Sequence, residues 1–236
     1  MHHTFAAPLI ITGANKRVGL ALSKALSRQG YEIVATYRND PGELTTLENV
    51  YPIQADLTSI EDRQRLIDQV VTQAKSLRGI IHNASLWLDD SLQNFQTMYQ
   101  VHLEAPYHLN QALEPLLLSS SRADIIHICD DSASRGSKNH IAYAATKAGL
   151  SNMTLSFAER LAPTVRVNTI SPGLLIFKED SSAEYQEATL KKALLPYEPG
   201  AAPIVEAVMY LLQSTYTTGS TVTANGGRHL RHSKNA

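Results

Sequence analysis

Short apolar runs alternate with amphipathic segments of helical period along almost the whole chain, and this alternation constrains the fold more than any other feature. The apolar runs fall at residues 8–12, 32–36, 51–55, 79–82, 125–129, 164–170 and 221–224, the third being the weakest. Between them the periodicity predicts helices over 17–28, 59–76, 92–118, 142–161 and 202–212. The first stops at Gly30, and the second opens on Thr58 or Ser59 with Asp62 in its first turn, which are helix-terminal preferences. Pro106 and Pro115 are expected to bend or end the third. Residues 174–200 are mixed and polar. Strands this short and apolar must be covered on both faces, which requires a parallel sheet between two helical layers. No linker, repeat or low-complexity stretch divides the 236 residues. The expected fold is α/β, a Rossmann-like, doubly wound parallel sheet of about seven strands, in a single domain over 1–236.

Composition narrows the function classes. A formal charge of −1 removes the electrostatic case for a nucleic-acid partner. No apolar run reaches the length of a membrane span, so no membrane partner is expected. The N-terminus lacks a basic stretch and runs straight into an apolar strand, so no signal peptide is expected. The single cysteine, Cys129, excludes an intramolecular disulfide framework and fits a reducing cytoplasm. It lies in an apolar run and reads as a core residue. No metal site is expected.

In doubly wound sheets, ligands bind at the carboxyl ends of the strands. The loops after Thr12, Thr36, His82, Cys129 and Ile170 should therefore line one site. The first reads Thr12-Gly13-Ala14-Asn15-Lys16-Arg17-Val18-Gly19. Gly13 permits an unusual backbone angle, Gly19 lets the helix approach the strand, and the turn offers free helix N–H groups to a pyrophosphate. Asn15 stands where a G-x-G-x-x-G fingerprint has its central glycine. After the second strand come Tyr37-Arg38-Asn39. An acid there usually holds a ribose 2′-OH, whereas an arginine accommodates a 2′-phosphate. Arg38 and Arg17 therefore argue for NADP, with Asp40 as an alternative ribose ligand. After the fifth strand come Asp130, Asp131, a polar loop, and a helix that sets Tyr143 and Lys147 one turn apart on one face. A cation beside a phenol stabilises the phenolate and is expected to lower a pKa that starts near ~10.

These stretches together resemble the short-chain dehydrogenase/reductase family. Thr12-Gly13-x-x-x-Arg17-x-Gly19 matches its phosphate turn in the arginine-bearing form, and Asp56-Leu57 matches the acidic residue near the adenine. His82-Asn83-Ala84-Ser85 matches the family's Asn-Asn-Ala-Gly segment, and Tyr143-x-x-x-Lys147 its catalytic pair. Ser171-Pro172-Gly173 matches the Pro-Gly turn beside the nicotinamide, and Thr218-Gly219 with Gly226-Gly227 the C-terminal end. The matches follow the family's order across nearly the whole chain. The resemblance implies NADPH as cofactor, held by Gly13, Asn15, Lys16, Arg17, Val18, Tyr37, Arg38, Asp56, Leu57, Asn83, Ala84, Ser85, Tyr143, Lys147, Pro172 and Gly173. It implies Tyr143 and Lys147 as catalytic residues. It also implies a homo-oligomer, commonly a tetramer, packed through helices 92–118 and 142–161.

Two positions depart from the family. Its catalytic serine lies thirteen residues before the tyrosine, where this chain has Asp130. Its structural asparagine in the long helix aligns with His102. Asp in place of Ser resembles the pteridine reductases, as does an aromatic residue two positions beyond Asn-Ala-Ser, here Trp87. The runs HNASLW, IAYAATKAGLSNMT, LAPTVRVN and GGRHLR add to that likeness. It implies a small-molecule pterin substrate: hydride passes to C6 of a 7,8-dihydropterin and a proton to N5, with dihydrofolate as a further substrate. Asp130 would be the third catalytic residue and would accept hydrogen bonds from the pterin. Ser85 and Tyr143 would also contact the substrate, Trp87 would stack on it, and residues 174–200 would cover it. Several alternatives stand beside these. Trp87 could be a core or interface residue. Asp130 could be a loop cap that leaves the work to Asp131 or Ser132. His102 could be a structural histidine. The function could also be that of a generic carbonyl reductase, or of a non-catalytic NADPH sensor.

Overall fold

A computed structural model describes residues 4–230. Seven strands form one sheet in the order β3-β2-β1-β4-β5-β6-β7. They are β1 (Leu9–Ile11), β2 (Ile33–Tyr37), β3 (Val50–Gln54), β4 (Gly79–His82), β5 (Ala123–Ile128), β6 (Val165–Pro172) and β7 (Thr221–Ala224). Every neighbouring pair is parallel. β1, β4 and β5 are buried at every residue, which is why they read as unbroken apolar runs. Alternate side chains of β1 enter opposite layers. Ile10 joins Leu66, Val70, Leu109 and Phe157 on one face, while Leu9 and Ile11 join Leu22, Leu26, Ile204 and Val208 on the other. The first layer packs under α2 (Ile60–Gln73) and a long helix discussed below; the second packs under α1 (Arg17–Arg28). Strand order reverses between β1 and β4, and the crevice at that switch point is where a ligand is expected in this architecture. No helix of the described residues is long and apolar enough to cross a membrane.

The helix expected over 92–118 is one continuous run that changes pitch. It comprises α3 (Leu92–Tyr99), a π-helical turn (Gln100–Glu104) and α4 (Ala105–Leu118). Of the two outcomes expected at the prolines, bending or ending, neither proline ends it. Pro106 has no N–H to give the carbonyl of His102, four residues back, and its ring crowds that carbonyl. The chain accommodates this by widening one turn, in which the Ala105 N–H reaches back to the Gln100 carbonyl. The widened turn carries His102, which is buried.

Between Asp130 and the C-terminus lie α5 (Ser132–Arg135), α6 (Ile141–Leu161), α7 (Ala183–Leu190) and α8 (Ala202–Gln213). Helix α7 lies within the mixed segment, where no helix was expected. Only Thr189 of it is buried, so it has no apolar stripe to read, but Ser182 caps it by accepting from the Tyr185 N–H at 3.2 Å.

Candidate active site

The loops after β1 and β4 are laced together at the switch point. Thr12 Oγ1 accepts from the Asn83 and Ala84 N–H groups, each at 3.0 Å. The Asn83 side-chain amide donates to the Thr12 and Gly13 carbonyls at 3.1 and 2.9 Å. Asn83 therefore spends its donors on the turn itself. Gly13 has φ 62°, and a Cβ there would lie 2.9 Å from Ala84 Cα. A Cβ on Gly19 would lie 2.2 Å from the Gly13 carbonyl oxygen. Both positions admit only glycine, because neighbouring backbone already occupies the place of a Cβ, and this close approach shapes the turn in front of α1. No side chain caps α1 at Lys16, and no acid stands in its first turn. Its first N–H groups are thus left without a side-chain partner at the positive end of the helix dipole, an arrangement that suits an anion.

Other cofactor candidates divide into two groups. Arg38 is exposed just past β2, with no ion pair among the described residues, and Tyr37 is half-buried beside it. Arg17, expected to share the 2′-phosphate with Arg38, points elsewhere. Its φ is 48°, and its Nη2 donates to the Ile176 carbonyl at 2.5 Å, in the segment expected to cover substrate. Asn15 donates to the Asp40 carbonyl at 2.7 Å, and the Asp40 carboxylate accepts from the Gly42 N–H at 3.0 Å. Asp40 thus braces its own turn. Asp56 accepts from the Thr58 N–H and hydroxyl at 2.9 and 2.8 Å. Leu57 belongs to the hydrophobic core, so its side chain is not offered to a ligand. Lys16 is exposed and Val18 packs on the core under α1. Pro172 ends β6, and its carbonyl accepts from the Asp131 N–H at 2.8 Å; Gly173 follows, paired to Ala224. The glycine turn and the uncapped helix N-terminus fit a nicotinamide dinucleotide, with Arg38 exposed beside them.

Helix α6 brings the expected pair to the inner face. Its N-terminus is capped from another loop: the Asp90 carboxylate accepts from the Ile141 and Ala142 N–H groups at 2.8 and 3.0 Å. Those bonds hold the Asp90 carboxyl below its usual range. Tyr143 is 6% exposed and Lys147 1%. Lys147 Nζ donates to the Ile128 carbonyl at 2.9 Å and lies 5.8 Å from the centre of the Tyr143 ring. Burial pulls the Lys147 pKa down. Burial, and then the Asp130 carboxylate, push the Tyr143 phenol well above its ordinary range. The expectation that Lys147 keeps this phenol acidic is therefore corrected: the cation lies over the ring, while the charge bonded to the hydroxyl is negative. The phenol keeps its proton at neutral pH.

Asp130 divides its two oxygens between its own loop and Tyr143. One oxygen accepts from the Ser132 N–H and hydroxyl at 2.8 and 2.6 Å. The other faces the Tyr143 hydroxyl at 3.4 Å. Asp131 points the opposite way, into a buried cluster with Arg135 at 2.5 Å, Asn225 at 2.6 Å and Arg228 at 3.6 Å. That removes Asp131 as the alternative. Ser85 is exposed and also meets the Tyr143 hydroxyl. Trp87 is 47% exposed, so it is not a core residue; its ring packs on those of Tyr143 and His140 at 4.4 and 4.2 Å. Cys129 is buried and its thiol is pushed up to about 11 by that burial, which leaves it unreactive. Asp90 and Thr146 were not singled out by sequence. Asp90 acts on a helix start 51 residues away, and no local pattern announces such a cap.

The chain is similar to known proteins over its whole length. A family model described as enoyl-(acyl carrier protein) reductase matches residues 13–229. Dihydromonapterin reductase of Escherichia coli strain K12 is 41% identical over 240 residues, covering 98% of this chain and 100% of the relative. The same holds for the enzyme of that name from Escherichia coli O139:H28. Among solved structures, FolM alternative dihydrofolate reductase 1 from Brucella suis, in complex with NADP, has a TM-score of 0.88 at 25% identity, with 97% of each chain covered. A short-chain dehydrogenase/reductase from Brucella melitensis has a TM-score of 0.87 at 22% identity, covering 97% of this chain and 99% of that one. This chain belongs to the short-chain dehydrogenase/reductase family of oxidoreductases.

Proposed function

We propose that this chain reduces 7,8-dihydropterins with NADPH, with dihydromonapterin as the leading substrate and dihydrofolate as a second. The observation that carries the reading is the open oxygen of Asp130 facing the Tyr143 hydroxyl, where the family has a serine. A carboxylate can only accept hydrogen bonds, and a pterin presents amino and ring N–H donors along its edge. Toward a ketone the same charge would oppose the developing oxyanion that a serine hydroxyl stabilises. The names of the relatives point the same way.

When bound, NADPH supplies the hydride that C6 accepts, and the C6=N5 double bond becomes a single bond. Tyr143 delivers the proton that N5 takes up. Its high pKa is no obstacle, because nitrogen gaining charge from hydride is far more basic than a phenolate. Asp130 draws on the same hydroxyl and receives the donors of the pterin edge. Lys147 holds the nicotinamide ribose, and Arg38 the 2′-phosphate. Trp87 walls the pocket with its exposed face, and residues 174–200 cover it, tethered to the phosphate turn through Arg17. Positioning and one proton donor then account for most of the protein's share of catalysis.

The test is NADPH oxidation with dihydromonapterin, dihydrofolate, dihydrobiopterin and a panel of ketones. Turnover of the dihydropterins is expected. Activity confined to ketones would sink the reading, and tight NADPH binding without turnover of any substrate would mark a sensor instead.

A further inference from the structure

The π-helical turn sets the His102 imidazole, 1% exposed, between the loop after β4 and helix α6. The Leu86 N–H donates to Nε2 at 3.0 Å. The backbone fixes that hydrogen, so Nε2 carries a lone pair and no proton. The ring proton is then on Nδ1, which donates to Thr146 Oγ1 at 2.8 Å. The Thr146 hydroxyl in turn donates to the Tyr143 carbonyl at 2.8 Å. Ser85 Oγ lies 3.0 Å from the same Nε2. Nε2 has no proton to give, so in this contact the Ser85 hydroxyl is the donor, sharing the ring's one lone pair with the Leu86 N–H, and its oxygen is left to accept from the Tyr143 hydroxyl and from the pocket. Burial, and then the Lys147 cation, hold the imidazole pKa down at about 2, in keeping with a ring that stays neutral.

We propose that His102 is a positioning residue that turns Ser85 into an acceptor-only group. Together with Asp130, Ser85 then forms a pocket wall that selects substrates by the hydrogen-bond donors they carry. This rests on the dihydropterin reading and deepens it. A nitrogen heterocycle with amino and N–H edges meets two acceptors, whereas a ketone oxygen meets the Tyr143 hydroxyl alone and gains nothing from either acceptor. The same imidazole fastens Leu86, next to Trp87, to the helix that carries Tyr143, so one ring sets the register between the two sides of the pocket.

Two substitutions separate positioning from proton transfer. His102→Phe keeps a flat ring, leaves the Leu86 N–H unpaired and frees the Ser85 hydroxyl to rotate. His102→Gln keeps an acceptor for Leu86 and Ser85 and a donor for Thr146. For dihydropterin, His102→Phe should lower kcat/KM by about 10–100-fold, the scale of a buried donor left unpaired. NADPH affinity should stay within about twofold, since the imidazole bonds to no residue of the phosphate turn and not to Arg38. His102→Gln should stay within about threefold of wild type, with a superimposable pH profile of kcat/KM from pH 5.5 to 9. Ser85→Ala alone and combined with His102→Phe should lose about the same activity, because the second change acts through the first. A His102→Gln protein that melts and binds NADPH like wild type, yet is as impaired as His102→Phe, would make His102 a proton donor and overturn the proposal. So would additive losses in the double variant, or full activity in His102→Phe. If His102→Phe does not fold, the comparison of Ser85→Ala with His102→Gln decides: loss in the first and retention in the second support the proposal, and any other pattern overturns it. A wild-type enzyme inactive on every dihydropterin would instead sink the functional reading, whatever the variants do.

Discussion

Strand β5 has an aspartate at each end, and the two are opposites. Asp124, at the start of the strand, is 1% exposed and receives both Arg78 and Arg166. Arg78 and Arg122 also donate to the Leu212 carbonyl, fastening the C-terminus of α8 to the same joint. Burial raises the Asp124 pKa, against the pull of both guanidiniums. Each Asp124 oxygen is taken by a cation. Asp130, just beyond the other end, has no ion pair among the described residues, spends one oxygen on Ser132, and holds a long contact to Tyr143 with the other. A carboxylate saturated by cations is a joint. A half-satisfied one at the carboxyl ends of a parallel sheet is a candidate for chemistry.

That contrast can be broken by experiment. The largest effect is expected from Tyr143→Phe, which should lower kcat by about 10²–10⁴-fold, the usual share of a positioned acid, while NADPH affinity barely moves. Equal losses in titrations of cofactor and in turnover would make Tyr143 a cofactor ligand and not the proton donor. At the joint, Asp124→Asn leaves two guanidiniums without their charge partner and should cost roughly 3–5 kcal/mol of stability in urea denaturation. Turnover of the folded fraction should be unchanged. Asp130→Asn should show the reverse: about a 100-fold lower kcat/KM on dihydropterin, with stability within about 1 kcal/mol of wild type. If the two variants lose the same property, the division between joint and site is wrong.

Two smaller effects sharpen it. His82 donates to Asn110 Oδ1 at 2.8 Å beneath the site, and burial holds its imidazole down at about 4. An unfolded imidazole titrates near ~6.5. Between those values the unfolded chain carries a proton that the native one lacks. Stability should therefore fall as pH drops from ~6.5 toward about 4, by about 1.4 kcal/mol per pH unit for this residue, and be indifferent to it above that window. His127, likewise buried and held low, adds to the same slope. Denaturation curves at pH 7.5, 6.5 and 5.5 measure it, and His82→Gln should flatten it; an unaltered slope would refute the assignment. Smallest is Arg38→Ala, which should shift the NADPH-to-NADH preference by about tenfold toward NADH, the scale of one charge-assisted bond. An unchanged ratio would move the 2′-phosphate contact elsewhere.

Much of the fold could be read from the chain because its signals are local. The alternation of apolar runs and helical periods sets the layers, and the strand order that follows puts Thr12, His82 and Ser171 at one end of the sheet. Helix α7 escaped because it buries almost nothing, and the π-helical turn because its cause, a missing N–H at Pro106, shows only once the helix is known to continue. The phosphate turn and the Tyr143–Lys147 pair were equally visible, being sets of residues within one turn or one helix.

By itself, then, the sequence determined the layered architecture, the glycine turn, the phenol beside a lysine, and the replacement of serine by Asp130. The tertiary structure alone decided what surrounds them. Arg17 turns toward Ile176, 159 residues away; Asp90 caps the helix of Tyr143 from 51 residues away; and the Leu86 N–H fixes the tautomer of His102. It also decided that the Tyr143 pKa rises and does not fall. A spacing shows which groups can meet. The direction in which a buried proton equilibrium moves depends on desolvation and on the sign of the charge at the hydrogen-bonded atom, and neither exists until distant segments have packed.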